Sequence, residues 1–196
     1  MLDVVVMVSG GGTNLQALID AKSRGELPHV NLRAVVSSSP NAYALTRAAD
    51  AGIEAVSLDI KLYSDRAVYT RELRTLIRAY HPGLIVTAGF LYVLTPDFAE
   101  EFEGRIINIH PSLLPSFGGV GCYGIHVHEK ALAAGVKVTG ATVHFVTAIP
   151  DTGPIIAQKA VEVADGDTPE SLQRRVMEQA EWIILPKAVE EFCANT

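Results

Sequence analysis

Apolar positions in the first half of the chain fall into two textures. Short runs rich in β-branched residues, at Val4–Val8, Leu32–Ser37, Ala55–Leu58 and Leu84–Thr87, read as strands. The stretches between them carry helical patterns. In Asp65–Tyr80, for example, Tyr69, Leu73, Leu76, Ile77 and Tyr80 recur at helical spacing, with Arg71, Arg74 and Arg78 among the remaining positions. Strands that are apolar throughout need cover on both faces, and their alternation with helices makes them parallel. The expected fold is therefore α/β, a doubly wound and mostly parallel sheet, joined by a further strand at Arg105–Ile109.

Beyond that strand the pattern changes. Residues Pro111–Ile125 hold Pro111, Pro115 and four glycines and read as a long irregular loop, followed by a short helix near His128–Ala134. Two β-rich runs, Val138–Val146 and Pro154–Val163, flank a turn and form an antiparallel C-terminal strand pair added to the sheet. Thr168-Pro169-Glu170 supplies an N-cap, a proline at the first helical position and an acid near the positive helix end. It opens a long C-terminal helix running to about Phe192, which Pro186 is expected to kink or divide. No repeat or linker interrupts the chain, so residues 1–196 are expected to form one domain.

Composition narrows the setting. With 196 residues, 48% of them apolar and 19% charged, the chain can bury an ordinary core and is not a disordered type. A net charge of -6 argues against nucleic acid or an anionic membrane as partner, while leaving room for a local phosphate pocket. Cys122 and Cys193 stand outside any CxxC or Cys/His array, which excludes a disulfide framework or zinc ribbon and suits a reducing, cytoplasmic compartment. The apolar Met1–Val8 lacks a basic flank and ends at Gly10, so it reads as a buried first strand rather than a signal peptide or membrane span.

Two stretches carry candidate chemistry. Ser9-Gly10-Gly11-Gly12-Thr13-Asn14-Leu15-Gln16 follows a strand and opens a helix, a geometry that aims backbone N–H groups and the helix dipole at an anion. It is not a Walker A loop, since no Gly-Lys-Ser/Thr follows, and Leu15 replaces the third glycine of a dinucleotide fingerprint. A tight turn without a ligand is the plain alternative. The second stretch is Arg105–Pro115. Asn108 and His110 lie two apart on a strand, hence on one side of the sheet, at the strand end where open α/β sheets place ligands. A carboxamide donor beside an imidazole suits stabilising an oxyanion that develops on a carbonyl. Asp151, in Ile149-Pro150-Asp151-Thr152-Gly153-Pro154, would raise the imidazole pKa if brought near it; by pattern alone it is a turn residue. His126 and His128 resemble a metal pair but lack a third ligand, and no metal is expected.

Taken together, Ser9–Gln16, Asn108–Pro115 and His144-Phe145-Val146 followed by Asp151–Ile156 resemble the folate-dependent phosphoribosylglycinamide formyltransferase family. The resemblance covers nearly the whole chain in order and implies a Rossmann-like formyltransferase fold. In it, about 1–100 would form a phosphate-binding half and about 101–196 a folate and catalytic half. It implies transfer of the formyl group of 10-formyltetrahydrofolate, as co-substrate, to the amine of phosphoribosyl glycinamide in purine biosynthesis. Asn108, His110 and Asp151 match the catalytic residues: Asn108 and protonated His110 stabilise the tetrahedral intermediate, and Asp151 raises the histidine pKa. Gly12, Thr13, Asn14 and Glu181 match the phosphoribosyl glycinamide site. Arg66, Leu91, Tyr92, Val93, Leu94, Asn108, Thr147, Ala148, Ile149, Pro150 and Asp151 match folate contacts. The implied partners are small molecules only, and the implied assembly is a monomer or homodimer.

The sequence departs from the family pattern at four places. The loop Ser116–Gly124 is longer than in short members and is expected to reshape the lid over the site. Ala148 stands where an acid is common, Tyr92 replaces a common arginine, and the last helix carries one more residue before Glu181. Two other readings stay open. One is a related folate-dependent enzyme; the methionyl-tRNA type is expected to carry an extra C-terminal domain and the deformylase an extra N-terminal one, and neither extension is expected here. The other is a non-catalytic phosphate-ligand module, which leaves the Asn108/His110 pair unexplained.

Overall fold

A computed structural model describes residues 1–196. Seven strands form one sheet: β1 (Leu2–Val8), β2 (Val30–Ser37), β3 (Glu54–Ser57), β4 (Leu84–Thr87), β5 (Ile106–His110), β6 (Val138–Phe145) and β7 (Ile155–Glu162). Their order across the sheet is β3-β2-β1-β4-β5-β6-β7. The first five pair in parallel, and β6 is antiparallel to both β5 and β7. The helices are α1 (Thr13–Ser23), α2 (Tyr43–Asp50), α3 (Arg66–Ala79), α4 (Pro96–Glu101), α5 (Ile125–Ala133), α6 (Pro169–Val176) and α7 (Trp182–Ala194). The strands therefore stand within a residue or two of where the apolar runs place them.

Strand β1 shows why its sequence is apolar without alternation. Successive side chains point to opposite faces. Val4, Val6 and Val8 pack with Leu15, Leu18, Leu185 and Val189, while Val5 and Met7 pack with Tyr69, Leu73, Ile77 and Phe98. Each face is thus sealed by helices. After β1 the chain runs outward through β2 and β3, then returns to place β4 on the other side of β1. The order reverses between β1 and β4, and the carboxyl ends of these strands open the crevice where doubly wound sheets bind ligands.

The last helical segment is capped as expected: the Thr168 hydroxyl accepts from the Ser171 amide, the Ser171 hydroxyl accepts from the Thr168 amide, and Pro169 takes the first helical position. Its division differs from the expectation. Pro186 lies inside α7, and the interruption is a π-turn one turn earlier, at Met177–Glu181. Proline forgoes the hydrogen bond to the carbonyl four residues back, that of Trp182, yet α7 continues through it. The π-turn takes up one residue more than an α-turn. No helix is long and apolar enough to cross a membrane.

Candidate active site

Three adjacent strands place three polar side chains in a row. Thr87, the last residue of β4, is paired in register with Asn108 of β5, and Asn108 with His144 of β6. The Thr87 hydroxyl donates to Asn108 Oδ1 at 2.8 Å, and Asn108 Nδ2 lies 3.2 Å from His144 Nε2. His144 Nδ1 lies 2.9 Å from the Phe145 carbonyl, so Nδ1 carries the proton and Nε2 accepts from the carboxamide. Both ends of the Asn108 amide are thereby fixed, and its second N–H is left to face the cavity.

His110 follows on the same side of β5 and is only 4% exposed. Its Nε2 donates to the Phe117 carbonyl at 2.9 Å, and its Nδ1 stands 3.7 Å from Asp151 Oδ2. Asp151 lies near both imidazoles, its Oδ1 3.6 Å from His144 Nε2. The Gly119 amide donates to Asp151 Oδ2 at 2.8 Å, and Gly118 packs so closely that a Cβ there would meet the Asp151 Cβ at 3.2 Å. Asp151 itself sits at φ 57, a left-handed conformation that costs a non-glycine residue and turns its carboxylate inward.

The charges of this cluster oppose one another. Burial pushes the Asp151 carboxyl up, but the His144 contact, the charge of His110 and the Gly119 amide outweigh it and hold the group below the ordinary aspartate range. Burial pushes the His110 imidazole down, and this outweighs the upward pull of Asp151 and of the Phe117 carbonyl. The expectation that Asp151 raises His110 holds for the sign of that interaction. Burial outweighs it in the free protein, so His110 is held below its ordinary value.

A cavity of about 340 Å³ opens over the row. Of the residues matched to folate contacts, Leu91, Tyr92, Val93, Leu94, Asn108, Thr147, Ala148, Pro150 and Asp151 line it. Arg66 and Ile149 do not. Ile149 is an exposed loop residue, and Arg66 is a support. The Arg66 guanidinium stacks 4.9 Å from the Tyr92 ring, donates to the Tyr92 hydroxyl at 3.1 Å and bonds the Val93 carbonyl. Tyr92 also meets Tyr69 edge-on at 4.8 Å, so an aromatic cluster stiffens this wall. The opposite wall is the loop segment Gly119–Gly124.

The glycine turn forms a second cluster two strands away, about 10 Å at ordinary interstrand spacing. Gly12 has φ +71, and a Cβ there would meet Ala44 Cβ at 2.5 Å, so glycine is required; Gly10 and Gly11 face open space. Asn14 is buried, and its Nδ2 donates to Glu181 Oε2 at 2.5 Å rather than towards the turn. Thr13 Oγ1 similarly points to Met177 Sδ at 3.6 Å. At the turn itself, the backbone amides rather than the Asn14 side chain face the open space. Burial lifts the Glu181 carboxyl to about 7, against the lowering effect of Asn14. The Leu91 amide donates to Ser9 Oγ at 2.9 Å and ties this cluster to the cavity wall.

The sequence pattern does not single out Thr87 as a site residue, and it gives His144 only as part of a family motif. The signal for Thr87 was its place as the polar end of an apolar strand. His126 and His128 do not converge: His126 pairs with Glu129 at 2.8 Å on the surface, while His128 is fully buried with neither ring nitrogen bonded. Burial first, and the charge of His110 second, push His128 down to about 4. No group of three His, Cys, Asp or Glu side chains is arranged to hold a metal ion.

Residues 2–189 match the formyl transferase family. The chain is 40% identical over 191 residues to the phosphoribosylglycinamide formyltransferase of Escherichia coli K12, spanning 97% of this chain and 87% of that protein. It is 42% identical over 187 residues to the trifunctional purine biosynthetic protein adenosine-3 of Drosophila melanogaster, of which it spans only 13%. Among solved structures, glycinamide ribonucleotide transformylase 1 from Symbiobacterium toebii superposes with a TM-score of 0.92 at 41% identity, covering 100% of this chain and 89% of that one.

Proposed function

The chain belongs to the formyl transferase family, and on that premise we propose that it moves the formyl group of 10-formyltetrahydrofolate to the amine of phosphoribosyl glycinamide. The observation that carries this reading is the Thr87–Asn108–His144 row beside His110 and Asp151, set next to an anion-accepting turn. The folate lies in the cavity walled by Leu91–Leu94 and Thr147–Asp151. The phosphate lies on the amides of Gly12, Thr13 and Asn14, joined by that of Gly11, with Glu181 beside the glycinamide.

The substrate amine attacks the formyl carbon, its lone pair forming the C–N bond while the carbonyl π pair moves to oxygen. The free N–H of Asn108 donates to that oxyanion. Because its amide is already fixed by Thr87 and His144, no reorganisation is needed when the charge develops. His110 begins neutral and takes the proton released by the attacking amine. The adjacent Asp151 carboxylate stabilises the imidazolium, which supports the oxyanion and then returns a proton to the departing folate nitrogen. Burial therefore keeps His110 ready to accept, and Asp151 makes acceptance favourable.

Steady-state turnover with both substrates, against water as the only acceptor, tests the proposal. Formyl transfer to the amine should dominate. Formate release at the same rate with or without the glycinamide would replace this reading with a deformylase, and binding of the phosphate ligand without turnover would replace it with a binding module.

A further inference from the structure

The proposed reaction leaves Arg47 unused. This residue stands in the last turn of helix α2, which packs against the glycine turn. Its Nε donates to the Gly11 carbonyl at 2.9 Å and its Nη1 to Gln16 Oε1 at 2.7 Å, and its guanidinium lies 4.9 Å from the Tyr43 ring centre. Gln16 is held in turn, its Nε2 donating to Asp20 Oδ1 at 2.8 Å. The guanidinium is thus fixed from three sides.

The neighbouring carbonyls are pinned in the same way. The Ala44 amide donates to the Gly10 carbonyl at 3.1 Å, and the Gln16 amide donates to the Gly12 carbonyl at 2.9 Å. In a planar trans peptide the C=O and the following N–H point in opposite directions. Pinning the carbonyls of Gly10, Gly11 and Gly12 therefore aims the amides of Gly11, Gly12 and Thr13 away from their anchors. Those amides have no acceptor within the protein. Two of the three anchors are backbone groups. Only the middle one is a side chain, and only it carries a full charge.

We propose that Arg47 is a positioning residue for the substrate phosphate: it orients the Gly11–Gly12 peptide and, through a charged hydrogen bond to its carbonyl, makes the Gly12 amide a stronger donor. A hydrogen bond accepted at one end of a peptide polarises it and strengthens the bond donated at the other. The inference rests on the reading of this turn as the phosphate site. Arg47 acts through the turn and is not required to touch the ligand.

The test combines kinetics with amide NMR on the intact chain. Arg47→Gln should raise KM for phosphoribosyl glycinamide by about tenfold, the equivalent of one charged hydrogen bond. Its KM for the folate and its kcat should stay within about twofold, well below that tenfold effect. Arg47→Lys, which keeps a charged donor, should recover much of the loss. Titration of the wild-type protein with inorganic phosphate should shift the Gly11, Gly12 and Thr13 amide resonances, and Arg47→Gln should need a higher phosphate concentration for the same shift. Wild-type amides that do not respond would overturn the phosphate reading and this proposal with it. Equal responses in wild type and Arg47→Gln would leave the phosphate reading standing and overturn the role of Arg47. A uniform loss in both KM values and kcat would assign Arg47 to general structure instead.

Discussion

Asp151 sits between two imidazoles, and its carboxylate contributes by opposing the burial of His110. Replacing it with asparagine removes that opposition, so the His110 pKa, already low, moves lower still. The acid limb of kcat/KM records the neutral imidazole that must accept the amine proton. In Asp151→Asn this limb should therefore shift to lower pH, while the plateau falls on the order of 10²-fold because the imidazolium formed on the proton acceptor loses its counter-charge. A pH–rate profile with an unmoved acid limb would separate Asp151 from His110. Asn108 and His110 were readable as candidates because two polar residues at a strand end break the surrounding apolar pattern, whereas Asp151 reads by pattern as a turn residue and became a candidate only through the family resemblance. Thr87 and the role of His144 were not. Their importance lies in register across β4, β5 and β6, and sequence spacing carries no information about which residues of separate strands face each other.

At the scale of elements, the strands were legible because burial on both faces leaves a continuous apolar run, and the C-terminal helix because its cap is written in Thr168-Pro169. The site of its interruption was not, since Pro186 marks where a hydrogen bond is lost, yet α7 continues through it. The π-turn Met177–Glu181 lets α6 keep its contacts while Glu181 still reaches Asn14. Deleting Gln179, an exposed residue of that turn, should convert it to an ordinary α-turn with both faces preserved. KM for the glycinamide substrate should then change by less than about threefold, since no contact is lost. Inserting an alanine at the same point should rotate Glu181 by about 100° relative to α6, one residue of helix, and raise that KM strongly. Equal kinetics for deletion and insertion would show that the turn does not set the position of Glu181.

Across the whole molecule, the sheet order determines which distant segments meet. Glu181, near the end of the chain, reaches Asn14 near its beginning, and the burial of its carboxyl there gives stability a pH dependence. Burial raises Glu181 from 4.5 to about 7 in the folded protein. A raised folded value means the folded state retains a proton that the unfolded chain gives up. Stability from this group is complete below about pH 4.5 and declines as pH rises to about 7, by on the order of 3 kcal/mol in all. Denaturant unfolding of Glu181→Gln should lack that decline, so the variant should gain on the wild type over this window; parallel pH profiles would contradict the burial of an ionisable Glu181.

In the mechanism we propose, the transfer depends on one amide fixed in advance across three strands. Single-turnover formyl transfer at saturating concentrations of both substrates isolates that step in wild type and Asn108→Ala. The variant should bind both substrates with little change and transfer ~10²–10³-fold more slowly, the loss expected for one oxyanion donor. A transfer rate near that of the wild type would contradict the account.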